Sequence, residues 1–320
     1  MSDLAPETRL WNMLRGALTT KALGVAADLG VSDYLADGPR DVTAIAEQSG
    51  ADPQTLGRIL RALASDGVFA EDAPGVFRNT ESSDLLRADA NAGWREFAHL
   101  FGGVFYDGAA TMDPTTRAET FTRKFDVEFW SWLGQRADER AAFDAAMAGG
   151  KERHAARLSN LEWRGDETVV DVGGGNGALL RALLGEVPGL RGVILDLPET
   201  DRDEAALGDR ITFVAGSFFE EVPRGDVYLV SGILHDWDDE TATRILKTIH
   251  AAAPSDARLL ALESVVPPGN EPHGSKWLDL LMLVLAGGRE RTETEWCSLL
   301  EAAGFEPTSI EDGLIQATCR

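Results

Sequence analysis

The chain has 320 residues, 44% of them hydrophobic, which suffices for an ample core and for two domains, one of them sized for a cofactor. A formal charge of −23 speaks against partners that recruit Lys and Arg, namely DNA, RNA and anionic membrane surfaces. The two cysteines, Cys297 and Cys319, lack metal-ligand spacing and imply free thiols and no zinc site.

Asp3 and Glu7 stand where a targeting segment would be basic, and no apolar run approaches about 18 residues, so a cytoplasmic protein is expected. Leu10 to Leu29 reads as a helix with Ala, Leu and Val on more than one face. That is the pattern of a helix buried in a partner subunit, and it predicts a homodimer. From Val31 to Leu86 short helices take over, one at Val42 to Ala46 and one from Gln54 to Ser65 opened by Asp52-Pro53. A turn at Asp66-Gly67 and strands around Val68-Phe69 and Val76-Phe77, joined through Pro74-Gly75, complete a winged-helix pattern. Such a pattern raises DNA binding. Yet Asp37 to Asp89 sets five basic residues, Arg40, Arg58, Arg61, Arg78 and Arg87, against ten acidic ones, the wrong sign for phosphate contact. Packing or dimerisation is the expected role.

Residues 91–160 read as mostly helical, with aromatic stretches from Trp94 to Phe105 and Phe121 to Trp132 that either fill a core or wall a pocket for a flat substrate. Phe143 and Met147 share a helical face by their i, i+4 spacing. From Asp166 strands and helices alternate. The strands are Thr168 to Val172, Gly192 to Leu195, Ile211 to Val214, Val227 to Val230 and Arg258 to Glu263; helices start near Ala178, Glu199, Asp239 and Lys276. This is a doubly wound parallel sheet. After a helix from Thr292 to Ala303, strands Thr308 to Glu311 and Leu314 to Thr318 flank Asp312-Gly313, a hairpin signal.

The run Val169-Val170-Asp171-Val172-Gly173-Gly174-Gly175-Asn176-Gly177-Ala178 ends a buried strand in glycines and opens a helix. Such glycines let the backbone approach a ligand, and the helix start offers free N–H donors. Asp196 follows at a strand end 23 residues after Gly173, placed to accept hydrogen bonds from ribose hydroxyls. Read as G-x-G-x-x-A, the loop holds a dinucleotide pyrophosphate; read as D-x-G-x-G-x-G from Asp171, it holds S-adenosylmethionine. The carboxylate of Asp171 favours the second, since it repels pyrophosphate and suits an amino group and a sulfonium. The glycines themselves leave both open. Further on, Leu229-Val230-Ser231-Gly232-Ile233-Leu234-His235 leaves a strand at its carboxyl end, where open α/β sheets place their ligands. His235 reads as functional there, or as a core or capping histidine. Asp238, Asp239 and Glu240 read as a cap and dipole complement for the next helix.

Together with Asp196-Leu197-Pro198, His235-Asp236-Trp237, Glu263 in Leu262-Glu263-Ser264-Val265, and Gly287-Gly288-Arg289-Glu290-Arg291-Thr292, the glycine run falls in the order and spacing of a known family. The chain resembles, over essentially its whole length, the S-adenosylmethionine-dependent small-molecule O-methyltransferases, the group of caffeate, isoflavone and hydroxyindole O-methyltransferases and bacterial polyketide-tailoring enzymes. The resemblance implies an α/β fold: a Rossmann-like methyltransferase sheet with an antiparallel C-terminal hairpin, plus a mostly helical N-terminal winged-helix dimerisation domain. Residues 1–100 would form the dimerisation domain, 101–160 a helical connector contributing to the substrate pocket, and 161–320 the cofactor-binding domain. It also implies S-adenosyl-L-methionine as cofactor, no metal, and a small hydroxylated aromatic acceptor. By the same resemblance His235 is the general base, with Glu263 and Glu290 the acids that orient it. Asp171, Gly173, Gly175, Asp196, Ser217, Phe218 and Ser231 meet the cofactor, Asp196 at the ribose and Phe218 at the adenine. Phe143 and Met147 lie near the sulfonium and the substrate. Two positions depart: Ser217 stands where the family commonly has an aspartate, which should weaken hydrogen bonding to the adenine, and Ser231 stands where many plant members have lysine. The rival readings are a cofactor-binding relative that hydroxylates or decarboxylates, an NAD-dependent oxidoreductase, and a winged-helix regulator; His235, Glu263 and Glu290 together speak for methyl transfer.

Overall fold

The computed structural model describes residues 4–90, 93–113, 120–200, 202 and 204–320. The chain divides into two compact units: the segment up to Ala110 with Arg136–Gly149, and Thr111–Gln135 with Gly150–Arg320. Residues 101–160 are thus shared between the two.

In the first unit the N-terminal apolar stretch forms two helices, Pro6–Leu14 and Gly16–Asp28, instead of one. They meet where Gly16, a poor helix former, follows Arg15, whose guanidinium reaches Asp66 at 2.9 Å. Leu10, Trp11, Met13, Leu14 and Leu18 remain 61–75% exposed. Helices Val42–Ser49 and Pro53–Ser65 are capped by Asp41 and Asp52, whose carboxylates accept the Thr43 and Thr55 N–H groups. Strands β1 (Arg40–Asp41), β2 (Phe69–Ala73) and β3 (Val76–Asn79) pair antiparallel in the order β1-β3-β2. Ile45, Leu56, Leu60, Leu63, Phe69 and Phe77 close the core of this winged helix. Helix Trp94–Gly102 packs on Gly16–Asp28 so closely that a Cβ on Gly24 would lie 2.8 Å from the Gly102 Cα. Helix Ala137–Ala148, which carries Phe143 and Met147, packs against Trp94–Gly102.

The second unit is built on a seven-stranded sheet of β4 (Thr168–Val172), β5 (Arg191–Asp196), β6 (Ile211–Ala215), β7 (Val227–Ser231), β8 (Arg258–Leu262), β9 (Phe305–Glu311) and β10 (Leu314–Cys319). Their order is β6-β5-β4-β7-β8-β10-β9, with β10 antiparallel to both β8 and β9. The Asp312-Gly313 turn has positive φ at both residues, 46° and 84°, as a tight hairpin requires. Alternation of side chains divides the core. Val170, Val172, Tyr228 and Val230 pack with helices Asp239–Ala252 and Glu293–Ala302 on one face; Val169, Val227 and Leu229 pack with Lys151–Ser159 and Ala178–Glu186 on the other. After β5 the helix expected near Glu199 begins instead at Glu204; Asp201 and Asp203 lie outside the described residues. The chain order reverses between β4 and β7, so loops leaving their carboxyl ends splay apart over a crevice. No helix among the described residues is long and apolar enough to cross a membrane.

Candidate active site

The crevice above β4, β7 and β8 collects most of the residues singled out in the sequence. Leaving β4, Gly173, Gly175 and Gly177 all adopt positive φ, 71°, 57° and 76°, a conformation costly to any residue with a Cβ. The turn is crowded as well as strained. A Cβ on Gly173 would lie 2.6 Å from Ile233 Cδ1, two residues before His235, and 3.7 Å from the Phe218 ring, so the glycine loop, Phe218 and the His235 turn converge.

Asp171 shares its strand face with Val169 and points under the loop. A Cβ on Gly174 would come within 2.7 Å of its carboxylate. It is 2% exposed, and Oδ2 is buried without a hydrogen bond. Burial pushes its pKa up to about 7, with Lys151 opposing and Asp196 adding to the rise. Asp196, at the end of β5, accepts the Gly175 N–H at 2.7 Å on Oδ2, and on Oδ1 the Leu197 N–H at 2.7 Å and the Thr200 hydroxyl at 2.6 Å. A carboxylate has about four acceptor sites, so it pins the glycine turn and keeps one site free. Ser217 uses its hydroxyl to accept the Phe219 N–H at 3.3 Å, and Phe218 stands in an edge-on cluster with Phe219 and Trp237.

His235 rides on a three-residue 3-10 turn, Leu234–Asp236, that follows β7. Its Nδ1 lies 2.8 Å from Glu290 Oε1 and 3.8 Å from Glu263 Oε2, while Nε2 lies 3.5 Å from Asp236 Oδ1. The two glutamates do different things. Glu290 makes the hydrogen bond to the ring; Glu263 instead accepts the backbone N–H groups of Ile233 and Leu234 at 3.0 and 2.9 Å and acts on the ring through space. Both side chains are fully buried, and the Oε2 of each lacks a hydrogen bond. Burial lowers the ring's proton affinity, but the carboxylates of Glu263, Asp236 and Glu290 reverse this and raise the pKa of His235 to about 10. Burial raises Asp236 to about 7 and raises Glu263 too, with His235 opposing both.

Some of this was missed in the sequence. Lys151, at the start of its helix, reaches Ser231 Oγ at 3.5 Å and interacts with Asp171 and Glu263, while burial lowers its pKa. No motif pointed to it. Asp236 was visible beside His235 but without a reason to turn toward the ring. Asp279 accepts the Glu290 N–H at 2.8 Å from a separate helix. Phe143 and Met147 lie in the first unit, one helical turn apart. Among the described residues no cluster of His, Cys, Asp or Glu is arranged to hold a metal ion.

Comparison with known proteins gives this geometry its context. Residues 105–306 match the O-methyltransferase domain family and residues 11–89 the O-methyltransferase dimerisation domain. The chain is 38% identical over 306 residues to a phenazine O-methyltransferase of Lysobacter antibioticus, spanning 92% of this chain and 90% of that one. It is 37% identical over 315 residues to a mitomycin biosynthesis 6-O-methyltransferase of Streptomyces lavendulae, spanning 94% and 89%. Its fold superposes with a TM-score of 0.80, at 32% identity and covering 94% of this chain and 96% of the other, on an O-methyltransferase from neocarzinostatin biosynthesis solved in complex with S-adenosylmethionine and 2-hydroxy-5-methyl naphthoic acid. The chain belongs to the S-adenosylmethionine-dependent small-molecule O-methyltransferases, built with that family's dimerisation domain.

Proposed function

We propose that this O-methyltransferase methylates a phenolic hydroxyl of a small aromatic or polyketide-type natural product, with His235 as the general base, and that it works as a homodimer. One observation carries the reading: a histidine with Nδ1 tied to Glu290 leaves Nε2 as the atom for an acceptor, on a turn packed against the glycine loop.

The residues present suit the cofactor. Asp171 Oδ2 is a buried acceptor without a partner, Asp196 keeps an acceptor site, and the glycine turn admits no side chain that would hold a ligand away. These groups, with Ser217, Phe218 and Ser231, would hold S-adenosyl-L-methionine, which supplies an electrophilic methyl group on its sulfonium. Phe143 and Met147 are assigned to the acceptor by the family resemblance.

The chemistry then follows from proton affinities. A phenol, with pKa near ~10, is a poor nucleophile until its proton is shared. A ring with a pKa of about 10 matches it, so the proton moves between the phenolic oxygen and Nε2 at little cost in free energy. Glu290 holds the Nδ1 proton and fixes the tautomer, while Glu263 and Asp236 stabilise the imidazolium. Methyl transfer leaves a neutral ether, and Nε2 returns its proton to solvent. Much of the acceleration comes from alignment at roughly 3 to 3.5 Å.

The test is His235→Ala and His235→Gln, assayed on a panel of phenols with adenosylhomocysteine binding measured by calorimetry. Methyl transfer should fall by roughly two to four orders of magnitude with binding unchanged. Near-normal turnover would reject the base assignment.

A further inference from the structure

We propose that Arg291 is a positioning residue for the general base: its guanidinium fixes the turn that carries His235 and thereby the direction of Nε2. The proposal rests on the reading of His235 given above. Arg291 is 0% exposed. Nη1 donates to Leu234 O at 2.9 Å and to Arg289 O at 3.4 Å, Nη2 to Trp237 O at 2.9 Å, and Nε to Asp239 Oδ1 at 2.8 Å. Leu234 and Trp237 bracket His235 and Asp236. The Leu234 carbonyl takes only the long turn-closing bond from the Trp237 N–H at 3.4 Å, so the guanidinium supplies its shorter partner, and a cation is favoured at the carbonyl end of a turn. The opposite end of the turn is held by Glu263, which takes the Ile233 and Leu234 N–H groups. The turn is therefore fixed between an anion at its start and a cation at its finish.

A third restraint comes from the same loop. The Arg289 N–H donates to His235 O at 2.8 Å, and a Cβ on Gly288 would sit 2.1 Å from that oxygen. Residues 288 to 291 thus meet the His235 backbone at Gly288 and Arg289, the carbonyls of Leu234 and Trp237 on either side at Arg291, and the ring at Glu290. Ring and backbone are located by one short piece of chain, which removes the slack between them. The guanidinium is itself seated over the Trp296 ring at 5.1 Å. Lysine could not replace this fork, because a point charge on a flexible stem cannot bracket two carbonyls at fixed separation.

The experiment compares Arg291→Lys, Arg291→Gln and Asp239→Asn in the full-length protein, each alone and combined with Glu290→Gln. It reads kcat, KM for both substrates, adenosylhomocysteine affinity and the pH profile of kcat/KM. A displacement of about 1 Å at a reacting group costs on the order of a hundredfold, so kcat should fall about tenfold in Arg291→Lys and about a hundredfold in Arg291→Gln, with adenosylhomocysteine affinity within about twofold. The alkaline rise of kcat/KM should move to lower pH as the Nδ1 contact loosens. In the Glu290→Gln background the same changes should cost less than about threefold, since their effect passes through a contact already weakened. Wild-type kcat in Arg291→Gln, or equal losses in both backgrounds, would overturn the proposal. Asp239→Asn loosens the clasp from a side chain 56% exposed, so it keeps the test open should the Arg291 variants not fold. A several-fold loss of kcat there supports the proposal, and an unchanged kcat and pH profile overturns it. Turnover retained in His235→Ala would mark the failure of the base assignment instead; an inactive His235→Ala beside unaffected Arg291 variants would isolate the failure to the clasp.

Discussion

Replacing Glu290 with glutamine removes one charge from beside His235 and keeps an oxygen to accept the Nδ1 proton. The ring's pKa stands at about 10 against an ordinary 6.5. At about 1.4 kcal/mol per pH unit, the net rise corresponds to about 5 kcal/mol in favour of the imidazolium. Burial opposes the rise, so Glu263, Asp236 and Glu290 together contribute at least that much. Divided among three carboxylates this is on the order of 1 to 2 kcal/mol each, so Glu290→Gln should lower the ring's pKa by about one unit. The neutral ring, the form that accepts a proton, appears only as pH rises through this value. In the free enzyme kcat/KM should therefore climb toward about pH 10 in the wild type and level off about one unit earlier in the variant. Because phenols ionise in the same range, an NMR titration of the ring without acceptor supplies the independent reading. Stability follows the same sign. A raised histidine pKa contributes stability that is fully present below about 6.5 and lost as pH rises through about 10, so the wild type should lose more stability than the variant across that window. A ring titrating near 6.5 in the wild type, or at one value in both proteins, would refute the reasoning.

Further expectations concern the cofactor loop and the first unit. Gly174→Ala forces a Cβ to within 2.7 Å of the buried Asp171 carboxylate, and should cost about 1–3 kcal/mol in denaturant unfolding and weaken adenosylhomocysteine binding; no change in either would contradict the packing argument. Ser217→Asp adds a charged acceptor and should tighten cofactor binding by about tenfold, which calorimetry showing equal or weaker binding would reject. Leu14→Glu combined with Leu18→Glu places charges on residues each 75% exposed and should dissociate the proposed homodimer in sedimentation velocity, whereas an unshifted boundary would move the interface elsewhere.

Local sequence determined a large part of this molecule. Buried strands announced themselves as short apolar runs, and β4 was bounded to the residue because glycines that need positive φ stop it at Gly173. The hairpin at Asp312-Gly313 and the caps at Asp52 and Asp238 were equally legible, since each depends on residues only a few positions apart. The motif order brought His235, Glu263 and Glu290 into one hypothesis. What tertiary structure alone decided was the division of labour among them. Which glutamate meets the ring depends on where three separate strands and loops end in space, and no local pattern encodes that. The same holds for Lys151 beside Ser231, for Asp236 turned toward Nε2, and for Arg291, whose partners Leu234 and Trp237 lie more than fifty residues away in sequence. The raised pKa of His235 belongs with these, because it sums the fields of carboxylates that meet only when β7, β8 and the loop after helix Ser275–Leu285 pack together. Backbone geometry is a short-range property that sequence can state. A protonation state is a long-range sum that only the folded chain evaluates.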